Sequence, residues 1–142
     1  MNDLKVFVVE DNIVYLNLLK KYLLSIGCED VSTYENGEAC LTDLSLRPNI
    51  IFLDYYMDSL NGSEVLNKIK RFDPNIFVVM ISGQEEVQTA VDFLKDGGFD
   101  YLKKGEDDMK NVEEVLKKII QIKELTEATK PGFFQRIFKR IQ

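Results

Sequence analysis

Hydrophobic positions along the chain fall into two alternating patterns. Short runs rich in Val, Ile and Phe occur at residues 5–10, 30–34, 50–54, 76–82 and 100–103, each too short for a helix and each predicting a strand. Between them apolar residues return at three- and four-residue steps, the period of a helix with one buried face. Tyr15, Leu16, Leu19, Tyr22, Leu23 and Ile26 form one such stripe and stop at Gly27, a residue suited to the turn that ends a helix. Val87, Ala90, Val91 and Leu94 form a second stripe before Gly97, which predicts a helix buried along that face. Val112, Leu116, Ile119 and Ile122 form a third. Here Asp107 and Asp108 sit at the positive end of the helix dipole, and Glu113 with Lys117 and Glu114 with Lys118 are spaced to pair along its surface. Five strands alternating with five helices imply parallel strands joined by helical crossovers. The segments IIFLD and IFVVMIS are nearly unbroken apolar runs, as burial on both sheet faces requires. The fold class predicted is α/β, a doubly wound five-stranded parallel sheet with helices on both sides.

Composition then narrows the chemistry. At 142 residues, 45% hydrophobic and 30% charged, the chain has one domain's length and enough apolar side chains for a core, which excludes a disordered protein. It contains no histidine and only two cysteines. Ser-His and Cys-His catalysis, histidine-ligated metals and zinc ribbons are therefore excluded from within the chain. Carboxylates, lysines, hydroxyls and hard cations remain. A formal net charge of -6 opposes binding to a phosphate backbone, so no nucleic-acid partner is expected for this chain. No segment approaches the ~18 consecutive apolar residues of a spanning helix, and the opening MNDLK lacks the basic and apolar regions of a secretory signal. A cytoplasmic location is expected. In a reducing compartment Cys28 and Cys40 read as small apolar packing residues, not as a disulfide.

Beyond Thr129 the character changes. Pro131 and Gly132 interrupt the last helical pattern, and the segment after them contains no acidic residue. Lys130, Arg136, Lys139 and Arg140 give residues 130–142 a charge of +4, which leaves residues 1–129 at -10. At 100° per residue Phe133, Phe134, Ile137, Phe138 and Ile141 fill one arc and the polar side chains fill the other. The chain thus divides into a domain of residues 1–129 and a basic amphipathic tail of residues 130–142. The amphipathic segment of residues 133–142 has ten residues, fewer than the ~12–15 a helix needs for marginal stability alone, so the tail is expected to order only when its aromatic face is covered. Its own domain, a partner protein or an anionic membrane surface could each cover it.

The polar residues that interrupt the pattern gather at one edge. Glu10 ends the first predicted strand and Asp11 follows it, Asp54 ends the third, Ser82 ends the fourth and Lys104 follows the fifth. In open α/β sheets ligands bind at the carboxyl ends of the strands. Singly, each has an ordinary explanation: Asp11 could cap a helix, Asp54 could mark where a strand meets water, and Lys104 could be a solvated lysine. Together they do not, because carboxylates ~4 Å apart repel by about 4 kcal/mol at an effective dielectric of ~20. A cation is needed, and oxygen ligands of this kind suit Mg²⁺, which prefers one or two carboxylates with waters and a phosphate oxygen. With a phosphoryl group as the missing ligand, the natural acceptor is a carboxylate that forms an aspartyl phosphate. Lys104 would neutralise one phosphoryl oxygen and the Ser82 hydroxyl would donate to another.

Taken in order, VVEDN, IIFLDYYM with Gly62 downstream, VVMISG and DYLKKG resemble the receiver domain of the two-component response regulators, including its single-domain chemotaxis members. The likeness extends over roughly residues 5–122. It implies a flavodoxin-like sheet of strand order 2-1-3-4-5. It also implies that Glu10 and Asp11 hold Mg²⁺ together with Asp54 and the Tyr56 backbone carbonyl, that Asp54 is the phosphoacceptor, that Lys104 is the phosphate counterion, and that Ser82 and Tyr101 form a switch pair. The expected partners are a sensor histidine kinase or phosphotransfer protein and an effector whose binding changes on phosphorylation. Tyr56 and Gln84 would flank the path of attacking water, implying slow self-dephosphorylation and no other enzymatic turnover. Three positions depart from the family pattern: Asp58 and Gly105 stand where prolines are usual, and Gly83 stands where alanine is common. The first adds charge near the loop. The second bears on where Lys104 points, with Lys103 as its alternative on the opposite strand face. Two competing functions are a Mg²⁺-dependent phosphohydrolase acting through an aspartyl phosphate and a receiver-like scaffold that is never phosphorylated. Tyr56, where a phosphohydrolase of the haloacid-dehalogenase type needs a second aspartate, argues against the first, and the retained acidic residues, Ser82 and Lys104 argue against the second.

Overall fold

Alternation along the central strands sets the architecture. In the computed structural model, which describes residues 1–84, 86–128 and 132, the strands are β1 (Lys5–Val9), β2 (Asp30–Tyr34), β3 (Ile50–Leu53), β4 (Phe77–Ser82) and β5 (Asp100–Lys103). The helices are α1 (Ile13–Ser25), α2 (Gly37–Thr42), α3 (Gly62–Phe72), α4 (Val87–Lys95) and α5 (Asp108–Ala128), with a short 3-10 turn at Leu44–Leu46. All pairings are parallel and the strand order is β2-β1-β3-β4-β5, as expected. Val6, Val8, Ile50, Phe52, Val79 and Ile81 face α1 and α5, packing on Leu16, Leu19, Leu23, Val112, Leu116 and Ile119. Their neighbours Phe7, Val9, Ile51, Leu53, Val78 and Met80 face the other way, onto Val65, Leu66 and Ile69 of α3 and Phe93 of α4. Both faces of the three central strands are dry, which accounts for their unbroken apolar sequence.

The helices form where their ends are satisfied. Asn12, not Asp11, caps α1, its side-chain oxygen accepting from the amides of Val14 at 3.1 Å and Tyr15 at 3.2 Å. The helix ends before Gly27, whose φ of +106° is open to glycine at little cost. Asn61 and Glu64 form a reciprocal capping box at the start of α3. Cys28 and Cys40 are buried and unpaired, as apolar packing residues should be.

Three expectations are corrected. The predicted strands at residues 5–10, 50–54 and 76–82 are each one residue shorter, because Glu10 and Asp54 turn out of the ladder and β4 starts at Phe77. The stripe predicted as the buried face of α4 is turned toward solvent: Val87, Val91 and Leu94 are 81%, 37% and 45% exposed, whereas Phe93 is 2% exposed. The reason lies in Gly98, where an added Cβ would meet the Phe93 ring at 2.1 Å, so the space cleared by glycine takes the phenyl group and fixes the helix rotation. Ile122 is likewise 37% exposed, in the part of α5 that outruns the buried core. Among the described residues no helix is long and apolar enough to cross a membrane. The amphipathic tail lies outside the described residues apart from Gly132.

Candidate functional site

Strand alternation carries past the last ladder residue and sorts the polar side chains. Glu10, Asp54 and Lys104 continue the alternation that turns Val8, Phe52 and Leu102 toward α1 and α5. Ser82 and Tyr101 follow the opposite alternation, that of Met80 toward α3 and α4. The backbone pins the turn-out points: the Glu10 amide donates to the Tyr34 carbonyl at 2.9 Å, and the Asp54 amide donates to the Val9 carbonyl at 3.0 Å. Behind Asp54 the chain folds back closely enough that a Cβ on Gly62 would lie 2.9 Å from the Tyr55 Cα. Only glycine lets the Asp54 loop close against α3, and the Gly62 amide seals it by donating to the Tyr55 carbonyl at 3.0 Å.

Carboxylate oxygens of Glu10, Asp11 and Asp54 all lie within 4.8 Å of one another. Glu10 and Asp54 are 2% and 7% exposed, while Asp11, free of capping duty, opens to solvent. The Lys104 ammonium group contacts Glu10 Oε1 and lies 3.8 Å from Asp54 Oδ2. Its charge does not balance the cluster. Burial and the hydrogen bond shared with Asp54 push the Glu10 carboxyl up to about 8, against the opposing pull of Lys104. Glu10 Oε2 is buried without a hydrogen-bond partner. An orphaned oxygen, two further carboxylates and an opening to water through Asp11 fit a hard divalent cation with incomplete protein ligation, and Mg²⁺ suits that donor set.

Lys104 lies beside the acidic cluster. Its amide donates to the Ser82 carbonyl at 2.9 Å, and the side chain reaches the acidic cluster although Gly105 follows it. No cis peptide bond occurs among the described residues. Lys103, the alternative, is exposed at the end of β5. Ser82 is fully buried, and its Oγ accepts from the Gln84 amide at 3.2 Å. Tyr101 reaches the same residue from the other side, its hydroxyl donating to the Gln84 carbonyl at 3.1 Å. Both expected switch residues therefore hold one peptide segment at the entrance to α4. Tyr56 packs edge-on against Tyr55 with ring centroids 4.9 Å apart, and its amide points to Asp54 Oδ1 at 3.4 Å.

Two participants escape the sequence reading. Tyr15, counted as one residue of an apolar stripe, places its ring 4.5 Å from the Lys104 Nζ. Asp108, read as a helix-dipole residue, is 8% exposed and accepts the Tyr15 hydroxyl at 2.7 Å. Burial, then the Asp108 carboxylate, pushes the Tyr15 hydroxyl well above the usual phenol range, so it remains a donor. The available signal was a tyrosine, not a leucine, in the first turn of α1: a buried phenol needs a polar partner.

Comparison with known proteins converges on one family. Residues 6–119 match the response regulator receiver domain. The chain is 40% identical over 75 residues to the nitrogen assimilation regulatory protein NtrX of Azorhizobium caulinodans, a stretch covering 51% of this chain and 16% of that protein. It is 31% identical over 102 residues to the chemotaxis protein CheY of Listeria monocytogenes, covering 71% of this chain and 86% of that one. The crystal structure of NtrX from Brucella abortus aligns with a TM-score of 0.77 at 26% identity, covering 93% of this chain and 32% of that chain. This chain spans only 16% to 29% of the length of NtrX, the transcriptional regulatory protein ZraR of Klebsiella oxytoca and the protein-glutamate methylesterase of Bacillus licheniformis.

Proposed function

Because the chain belongs to the response regulator receiver family, we propose that it is a phosphorylation-controlled signalling switch with Asp54 as phosphoacceptor. The observation that carries this is the cluster of three carboxylates, with an orphaned buried oxygen on Glu10 and an ammonium group beside Asp54. In the reaction an Asp54 carboxylate oxygen attacks the phosphorus of a partner's phosphohistidine. The new P–O bond forms as the P–N bond breaks, and the imidazole leaves with that electron pair and takes up a proton. A sensor histidine kinase or a phosphotransfer protein is the donor. Glu10, Asp11, Asp54 and the Tyr56 carbonyl would hold Mg²⁺, which when bound supplies charge neutralisation between the carboxylates and the incoming phosphoryl group. Lys104 balances one phosphoryl oxygen and the Ser82 hydroxyl donates to another.

The same step carries the signal. When the Ser82 hydroxyl turns to the phosphoryl group it gives up the Gln84 amide, and Tyr101, bonded to the carbonyl of that residue, is released to turn inward. An effector that binds the altered surface completes the switch. Tyr56, two residues after the acceptor and with its amide 3.4 Å from Asp54 Oδ1, slows hydrolysis of the adduct. The protein works in the cytoplasm, and the tail of residues 130–142 serves interaction and no catalytic step.

Incubation with Mg²⁺ and a small acyl phosphate tests the reading by intact mass. The expected result is one phosphoryl adduct that chelation abolishes. Multiple turnover of phosphate monoesters, or no adduct in any condition, contradicts it.

A further inference from the structure

We propose that Tyr15 is a positioning residue for Lys104: its ring is the floor on which the ammonium group rests, and its hydroxyl locks that floor to Asp108. The inference rests on the reading of Asp54 as phosphoacceptor and assigns a residue which that reading leaves unused.

A lysine ammonium is a point charge on a flexible stem, with no geometry of its own to aim it. Lys104 needs walls. Glu10 and Asp54 provide one, with Glu10 in contact and Asp54 Oδ2 at 3.8 Å. A bound divalent cation competes for those two carboxylates and weakens that wall when the site is in use. The ring of Tyr15 is unaffected by such competition. It faces the ammonium from α1 at 4.5 Å from the ring centroid, within the range of cation–π attraction.

The ring is itself held in place. Tyr15 stands in the first turn of α1, its amide donating to the Asn12 cap at 3.2 Å. Its hydroxyl donates to Asp108 Oδ2 at 2.7 Å. The same oxygen accepts the amide of Gly105, the residue after Lys104, at 3.3 Å, and Asp108 Oδ1 accepts the Met109 amide at 2.8 Å. On the other side the Lys104 amide donates to the Ser82 carbonyl at 2.9 Å. One largely buried carboxylate thus ties the ring and the Lys104 loop into a single unit. A tyrosine that only filled the core would need a partner for its hydroxyl, but it would not need to set its ring under the charge.

The test combines NMR of the Lys104 side chain with titration by beryllofluoride, a stable phosphoryl analogue, in Mg²⁺. Tyr15→Phe, Tyr15→Leu, Tyr15→Met and Lys104→Ala are measured, the two apolar replacements together so that poor folding of one does not decide the result. The Lys104 ε-methylene protons are expected to be shifted upfield by the ring in wild type and in Tyr15→Phe, and to lose that shift in Tyr15→Leu and Tyr15→Met. Analogue affinity should fall about tenfold in the two apolar variants and stay within about threefold in Tyr15→Phe. In a Lys104→Ala background the apolar replacements should cost nothing further. Absence of the ring shift in the wild-type protein overturns the proposal, and so does an equal loss of affinity in the Lys104→Ala background. Failure of the wild-type protein to bind the analogue contradicts the phosphoacceptor reading instead, and the ring shift still decides the placement of Lys104.

Discussion

Glu10 carries a carboxylate that the fold buries at the carboxyl end of β1, where its charge is disfavoured. Burial and Asp54 raise its carboxyl from an ordinary 4.5 to about 8, so in the metal-free folded protein it keeps a proton that the unfolded chain has already released. Between those two values the folded state binds more protons than the unfolded state, and the sign of the linkage follows: stability falls as pH rises through the window. Urea denaturation at pH 5, 6, 7 and 8 is expected to show that decline without Mg²⁺ and to lose most of it with Mg²⁺, which draws on the ionised form. A decline of equal slope in both conditions would remove Glu10 from the metal site. At this scale the carboxylates were legible in sequence because each breaks an apolar strand at its carboxyl end. The roles of Tyr15 and Asp108 were not, since periodicity records only that a ring is half-buried and cannot report which charge lies over it.

The strands were legible as elements for a physical reason: double-sided burial leaves no polar position inside β3 and almost none inside β4, so the sequence has no second interpretation. The rotation of α4 was not legible. Its apolar period is real, but the pocket opened by Gly98 selects Phe93 as the anchor, and that is a tertiary contact invisible to periodicity. Phe93→Ala should therefore cost about 3–5 kcal/mol, the range of a deleted core aromatic, and Val91→Ala less than about 0.5 kcal/mol. Chemical denaturation of both variants measures the difference, and a larger loss for Val91→Ala would mean that the helix packs through the face predicted from its sequence. The exposed edge of α4 lies next to the Gln84 segment that Ser82 and Tyr101 hold together. Ser82→Ala is expected to leave beryllofluoride binding detectable while flattening the chemical-shift response of α4 and Tyr101. A response of wild-type size would break the proposed coupling.

Across the whole molecule charge is unevenly placed along the sequence, with +4 on residues 130–142 and -10 on residues 1–129. The acidic site and the basic tail perform separable work on this account. A protein ending at Lys130 should accept a phosphoryl group at the wild-type rate and differ in partner binding, self-association or binding to anionic vesicles. Loss of phosphorylation in a truncated protein that still unfolds cooperatively would contradict that separation. Signalling on this scheme depends on one group, the carboxylate of Asp54, accepting a phosphoryl group. The most direct measurement of that step is reductive trapping: after reaction with acyl phosphate and Mg²⁺, borohydride converts an aspartyl phosphate to homoserine, and peptide mapping reads its position. Homoserine at position 54, absent in Asp54→Asn and after chelation, is the predicted result, and homoserine at another aspartate, or a trapped adduct persisting in Asp54→Asn, would contradict the account.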